Sequence, residues 1–388
     1  MPEIVTNFAA QWGLDPAVEY LNHGSFGACP TAVLAEQAAL RAEMEREPVD
    51  FLKEALPARL DAAREELAKF LGADPADLAF VPNATSGVNA ILRSLQFASS
   101  DEILVTSHTY AACRKTVDFV ARRSGARVVI AALPFPCPDE ESVVEAILRA
   151  ASERTRVALI DHVTSPTALV LPLRRLVEAL AARGIDTLVD GAHAPGMVPI
   201  DLRDLGAAYY TGNAHKWLCA PKGAAFLHVR RDRQAGIHPS VISHGYTAGF
   251  HAEFDWTGTL DPTPWLCIPA ALRHIGGLLP GGWPQVMRTN HELALRARDV
   301  LLDRLGVRAP APDGMFGSMA AIPLPSRADG AALDTVALHD WLRASGVEAW
   351  LHPHPVPLVR LSAQLYNRLE QFRHLAVLLE EALHECLP

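Results

Sequence analysis

Ile185-Asp186-Thr187-Leu188-Val189-Asp190-Gly191-Ala192-His193 is a short apolar run closed by a carboxylate, a small-residue turn and a histidine. Four similar runs come before it, each followed by a stretch of helical period. Leu78-Ala79-Phe80-Val81 precedes a helix starting near Ser86, and Glu102-Ile103-Leu104-Val105 precedes one near Tyr110. Arg127-Val128-Val129-Ile130 precedes one from about Asp139, and Arg156-Val157-Ala158-Leu159-Ile160 precedes one near Pro172. Two further runs, Ala207-Ala208-Tyr209-Tyr210 and Ala224-Ala225-Phe226-Leu227, flank Lys216. Continuously apolar strands separated by helices are buried on both faces, which predicts an α/β fold with a mostly parallel seven-stranded sheet. Ligands in such sheets sit beyond the carboxyl ends of the strands, where Asn83, His108, Thr164 and Asp190 fall.

Outward from this centre, residues 31–71 carry apolar positions at helical spacing: Leu34, Ala38, Leu60, Ala63, Leu67 and Phe70. Pro48 and Pro57 are expected to break that stretch. Beyond about residue 265 the pattern changes to long helices near 268–278, 284–305 and 334–345, with short strands near 315–323 and 357–361. The expected division is an N-terminal arm (1–30), a large domain (31–265) whose first helices can pack on the small one, and a smaller C-terminal α/β domain (266–388).

The bulk numbers narrow the function. The chain has 388 residues, 49% hydrophobic and 20% charged, enough for a sizeable core. A net charge of −9 offers no basic field to nucleic acid or anionic lipid. Six scattered cysteines without a CxxC pair argue for reduced thiols and a cytoplasmic location, against a disulfide frame or a metal site. The N-terminus lacks a signal-peptide pattern, and no apolar run is long enough for a membrane helix.

Lys216 lies in Thr211-Gly212-Asn213-Ala214-His215-Lys216-Trp217, beside apolar neighbours that keep it from being simply hydrated. A desolvated lysine has a lowered pKa, which suits imine formation and proton transfer. Asp190 ends a buried strand, where a carboxylate is costly unless paired. One reading makes it a helix cap. The other pairs it with a pyridinium nitrogen, and a Schiff-base lysine with such an aspartate is what a protein supplies to pyridoxal phosphate. Asn83-Ala84-Thr85-Ser86-Gly87 opens a helix and can cup a phosphate, although plain capping accounts for the same residues. Tyr110 could stack on a planar ring or simply be a core aromatic. His193 could approach the ring oxygen, and Asn213 and His215 could hold phosphate.

Together these motifs resemble a known family. Leu21-Asn22-His23-Gly24-Ser25-Phe26-Gly27, Val81 to Asn89, Asp161-His162-Val163-Thr164-Ser165-Pro166, Val189 to His193, Asn213 to Trp217, Phe254-Asp255-Trp256-Thr257-Gly258-Thr259 and Val359 to Asn367 follow in order. The chain is similar to class V aminotransferases, pyridoxal-phosphate enzymes of fold type I, and within them to an isopenicillin N epimerase-like branch. The resemblance implies Lys216 as Schiff-base lysine and Asp190 as pyridinium partner. It implies Thr85, the Ala84 backbone, Asn213 and His215 at the phosphate, Tyr110 on the ring, and Ser165 and His193 near its phenolic oxygen. It further implies a homodimer with shared active sites, to which Thr259 contributes across the interface. Arg360 would clamp the α-carboxylate of an amino-acid-type substrate, with Asn22 and His23 lining the substrate side.

The family spans several reactions at the α-carbon, so membership leaves the reaction open. Residues 348–357 precede Arg360 and hold histidines and prolines but no cysteine, which disfavours persulfide-forming desulfuration. The expected activity is cleavage of a C–S bond in a cysteine S-conjugate. Epimerisation is the main alternative, with His23 or Tyr110 as a second acid/base, and transamination or decarboxylating deamination come behind it.

Overall fold

A computed structural model describes residues 8–326 and 333–384 of the chain. Seven strands, β1 (Leu78–Val81), β2 (Glu102–Thr106), β3 (Arg127–Ala131), β4 (Thr155–Asp161), β5 (Asp186–Asp190), β6 (Tyr209–Asn213) and β7 (Ala225–Val229), form one sheet. Their order is β1-β7-β6-β5-β4-β2-β3. Only β7 runs antiparallel to its neighbours. Alternate strand residues point to opposite faces, and both faces are covered. Val105, Leu159 and Leu188 meet Val88 and Ile91 of the helix Ala84–Ser94 and Val117 of the helix Ala111–Ser124. Leu104, Ile160 and Val189 share the opposite core with Val143 and Ile147 of the helix Glu140–Ala150 and Leu176 and Leu180 of the helix Leu173–Ala181. The seven apolar runs are therefore the seven strands. β6 starts later than its apolar run and continues through the polar Thr211-Gly212-Asn213, because the ladder with β7 extends to Asn213 opposite Ala225.

Pro57 does not break its helix. It lies in the first turn of the helix Leu56–Leu71, where the missing N–H has no helical partner to lose, and the preceding turn Asp50–Ala55 adopts the wider π spacing.

A second sheet of three antiparallel strands, β8 (Met319–Pro323), β9 (Trp350–His352) and β10 (Leu358–Ser362), has the order β9-β10-β8 and packs on the helix Gly282–Leu305, which in turn packs on the helix Leu369–His384. β9 and the C-terminal helix were not anticipated, and a three-residue strand is too short to show a period. Glu19 and Tyr20 pair in parallel with Val347 and Glu348, and Ser362 N–H donates to the Leu21 carbonyl. These bonds carry the N-terminal segment to the end of β10.

That segment then meets the lysine turn. Gly27 has φ 71° and ψ 164°, a region almost restricted to glycine, and a Cβ there would stand 2.8 Å from the Lys216 Cα. Gly27→Ala is expected to destabilise the fold by about 1–3 kcal/mol from backbone strain alone, read as a lowered midpoint in urea unfolding.

Candidate active site

The site is assembled where β4, β5 and β6 end. Asp161 and Asp190 close β4 and β5 and face each other in register, with Thr211 of β6 beside Asp190. Both carboxyls are buried, and burial pushes both upward. Both carboxyls are supplied with donors, Asp161 by the backbone N–H groups of Tyr110 and of its own residue, and Asp190 by a side chain as well. Asp190 Oδ2 accepts the Cys113 thiol at 3.2 Å, its Oδ1 accepts the Ala192 N–H at 3.0 Å, and Lys216 adds a positive neighbour. Asp161 Oδ2 has no partner among the described residues, and burial and then the neighbouring Asp190 drive its carboxyl well up, against the backbone donors.

Lys216 sits in the turn between β6 and β7, its Nζ 3.3 Å from His193 Nε2. Burial lowers the amine to about 7, and the Arg360 charge lowers it further against the pull of Asp190. His193 is buried, which pushes its ring well down, and its Nδ1 has no partner among the described residues. Amine, imidazole and carboxylate thus share one poorly hydrated cleft.

At the start of the helix Ala84–Ser94, Asn83 caps Ser86 N–H at 2.8 Å. Ala84 N–H is donated to Asn213 Oδ1 at 2.8 Å. This corrects the expectation that the Ala84 amide faces a phosphate, since its single donor is already engaged. Thr85 N–H is the amide left without a partner among the described residues at this helix start. His215 spends Nδ1 on the Ala224 carbonyl at 2.8 Å, which leaves Nε2 for a ligand. Tyr110 caps the helix Ala111–Ser124 and is 43% exposed, with Asp190 and Arg360 within electrostatic reach.

Arg360 comes from β10 and is fully buried without a carboxylate partner among the described residues. Its Nη1 donates to the Ser165 carbonyl at 2.7 Å and to Ser165 Oγ at 3.3 Å. Its Nη2 donates to Ser25 Oγ at 3.1 Å and lies 3.5 Å from Asn22 Oδ1, while Nε has no partner. Burial lowers the guanidinium to about 10, still charged at neutral pH. Asn22 and Ser165 are therefore brought to Arg360.

His23 is not on the substrate side. It is fully buried, with Nδ1 2.8 Å from the Tyr366 hydroxyl and Nε2 3.0 Å from the Lys216 carbonyl, and burial pushes it down to about 3. With both nitrogens engaged it anchors the lysine turn and cannot act as a second acid/base. Thr259 is exposed and has no hydrogen bond to this cluster among the described residues, so it stands outside this chain's own site.

Cys113, Asp161 and Trp350 belong to the site but were not singled out from the sequence. Cys113 lies one helical turn beyond Tyr110, a spacing that could have found it. Among the described residues no cluster of side chains could hold a metal ion.

A fold type I sheet with a lysine, an aspartate and a helix N-terminus at its carboxyl edge defines a pyridoxal-phosphate enzyme. The aminotransferase class-V family model matches residues 29–320, and the chain belongs to that family. It is 38% identical to an isopenicillin N epimerase of Amycolatopsis lactamdurans, over 97% of this chain and 98% of that one. It is 32% identical to a putative L-cysteine desulfhydrase of Oryza sativa subsp. japonica, over 80% and 68% of the two chains. A solved cystine C-S lyase complexed with cysteine persulfide shares the fold, with a TM-score of 0.80 at 20% identity, covering 94% of this chain and 97% of that one. The cofactor is pyridoxal 5′-phosphate. The residues present fit it: a buried carboxylate, an amine lowered to about 7 and an unpartnered helix-start amide.

Since the Lys216 amine is neutral above about pH 7, capture of pyridoxal phosphate by the apo chain should accelerate with pH and level off above that midpoint. Arg360→Leu removes a positive neighbour and should move the midpoint upward, as measured by stopped-flow absorbance.

Proposed function

We propose that this enzyme cleaves the Cβ–S bond of cysteine or a cysteine S-conjugate, releasing pyruvate, ammonia and a thiol. The bound cofactor supplies an electron sink for the α-carbon. Asp190 holds the proton of the ring nitrogen, and the Cys113 and Ala192 donors keep its carboxylate oriented. Thr85, Asn213 and His215 would hold the phosphate, Tyr110 the ring face, and Ser165 and His193 the phenolic oxygen. Arg360, placed by Asn22 and Ser165, binds the α-carboxylate with a planar fork. Lys216 accepts the α-proton, the Cβ–S electrons leave with sulfur, and the thiol takes up a proton. Water then completes the release of pyruvate and ammonia.

The observation that carries this reading is the Lys216 amine, since neither residue expected as a second base, His23 or Tyr110, is able to take up a proton. Lys216 is basic near pH 7, whereas His23 has both nitrogens engaged and burial pushes the Tyr110 phenol upward, so that it keeps its proton. Elimination needs one base, whereas inversion needs a proton carrier on each side of the α-carbon. The likeness to L-cysteine desulfhydrases supports the same class. Persulfide chemistry is disfavoured because the described cysteines are all buried and none lies between β9 and Arg360. The higher identity to isopenicillin N epimerases favours a second reading, epimerisation with the Tyr110 hydroxyl as the opposite proton donor.

A homodimer with shared sites completes the proposal, with Thr259 reaching the phosphate of the neighbouring protomer. No described helix is long and apolar enough to cross a membrane, and the proposed location is cytoplasmic.

Incubation of the holoenzyme with S-substituted L-cysteines in deuterated water should yield pyruvate and thiol in equal amounts. Recovery of amino acid deuterated at an inverted α-carbon, without pyruvate, would overturn the lyase in favour of the epimerase. Arg360→Lys keeps the charge but loses the fork, and should raise KM roughly 10- to 100-fold, the size of one charged hydrogen bond.

A further inference from the structure

Arg360 is a buried cation whose only side-chain and backbone oxygen partners among the described residues are neutral. Something else must hold its plane. Trp350 of β9 lies directly across from it in the antiparallel register, and the guanidinium carbon stands 4.3 Å from the centre of a Trp350 ring. His352, two residues along the same strand, stacks on Trp350 with ring centres 4.7 Å apart and planes 24° apart. His352 is itself held by its Nδ1, which accepts the His354 N–H at 3.1 Å. The segment before Arg360 therefore ends in a braced aromatic wall against the guanidinium face.

We infer that Trp350 is a positioning residue for the substrate carboxylate, holding the Arg360 fork by its flat face so that its N–H edge meets only neutral partners, on Ser165, Ser25 and Asn22, which an anion can displace. The inference rests on the reading of Arg360 as the carboxylate clamp. An acidic side chain in the same place would also stabilise the buried guanidinium, but it would occupy the donors that the substrate needs. An aromatic face stabilises the cation through the ring quadrupole without setting a competing negative charge on those donors. This gives the His352–Pro357 segment a role: it braces the wall.

The test uses the holoenzyme and two probes that differ only in the carboxylate, L-cysteine and cysteamine, titrated against the visible absorbance of the bound cofactor. The wild type should favour L-cysteine. Trp350→Leu should weaken L-cysteine roughly tenfold while leaving cysteamine and cofactor content unchanged, and Trp350→Phe should restore most of the preference. In turnover the Trp350→Leu loss should appear in KM with kcat little altered. A wild type that prefers L-cysteine, with a preference that survives in Trp350→Leu, overturns the role of Trp350 alone. A wild type without that preference overturns the Arg360 reading, and this inference with it. If Trp350→Leu does not fold, Trp350→Phe and His352→Ala decide the matter. Unchanged L-cysteine affinity in His352→Ala, together with a Phe variant no better than wild type stripped of Arg360 as Arg360→Leu, overturns the proposal.

Discussion

Everything in this site depends on how little water reaches the Lys216 amine. Desolvation brings an amine that is ordinarily charged at neutral pH down to about 7. Arg360 pushes the same way and Asp190 opposes them, so the proton balance of the lysine is set by two charges delivered from different parts of the fold. A more open cleft would leave the lysine protonated and unable to accept an α-proton. A site that lacked Asp190 would lose the charge that a protonated ring nitrogen requires.

The scaffold holds those charges by contact between segments far apart in sequence. Parallel strands end together, which puts Asp161 and Asp190 side by side, with the Cys113 thiol donating to Asp190. The lysine turn is gripped from behind, where Gly27 lets the N-terminal segment approach and His23 ties the Lys216 carbonyl to Tyr366 near the C-terminus. The three-stranded sheet then brings in Arg360 with Trp350 against its face. The lysine thus lies where three separate chain segments meet.

Much of this was legible in the chain itself. Each apolar run became a strand, and for all but the half-exposed edge strand Arg127–Ala131 burial on both faces leaves little choice of residue. Lys216, Asp190 and Arg360 stood out because charge beside apolar sequence demands an explanation. Misreadings came where a residue's partner is distant. Ala84 looked like a phosphate contact until Asn213 took its amide, and His23 looked like a substrate residue until both its nitrogens were found engaged. Pro57 was read as a break, yet a proline in a first helical turn loses no hydrogen bond. Trp350 gave no local sign of function, since a tryptophan is an ordinary core residue, and Cys113 gave only its spacing from Tyr110.

The sequence by itself determined the sheet, the family and the cofactor, because hydrophobic period and the order of short motifs are local properties of the chain. Only the tertiary structure decided which donors are free, what surrounds the Asp161–Asp190 pair, and what braces Arg360. Those are properties of hydrogen bonds and electric fields between groups tens to hundreds of residues apart, such as His23 with Tyr366 at a separation of 343. No single segment encodes them, because the desolvation that gives them their strength exists only once the segments have packed.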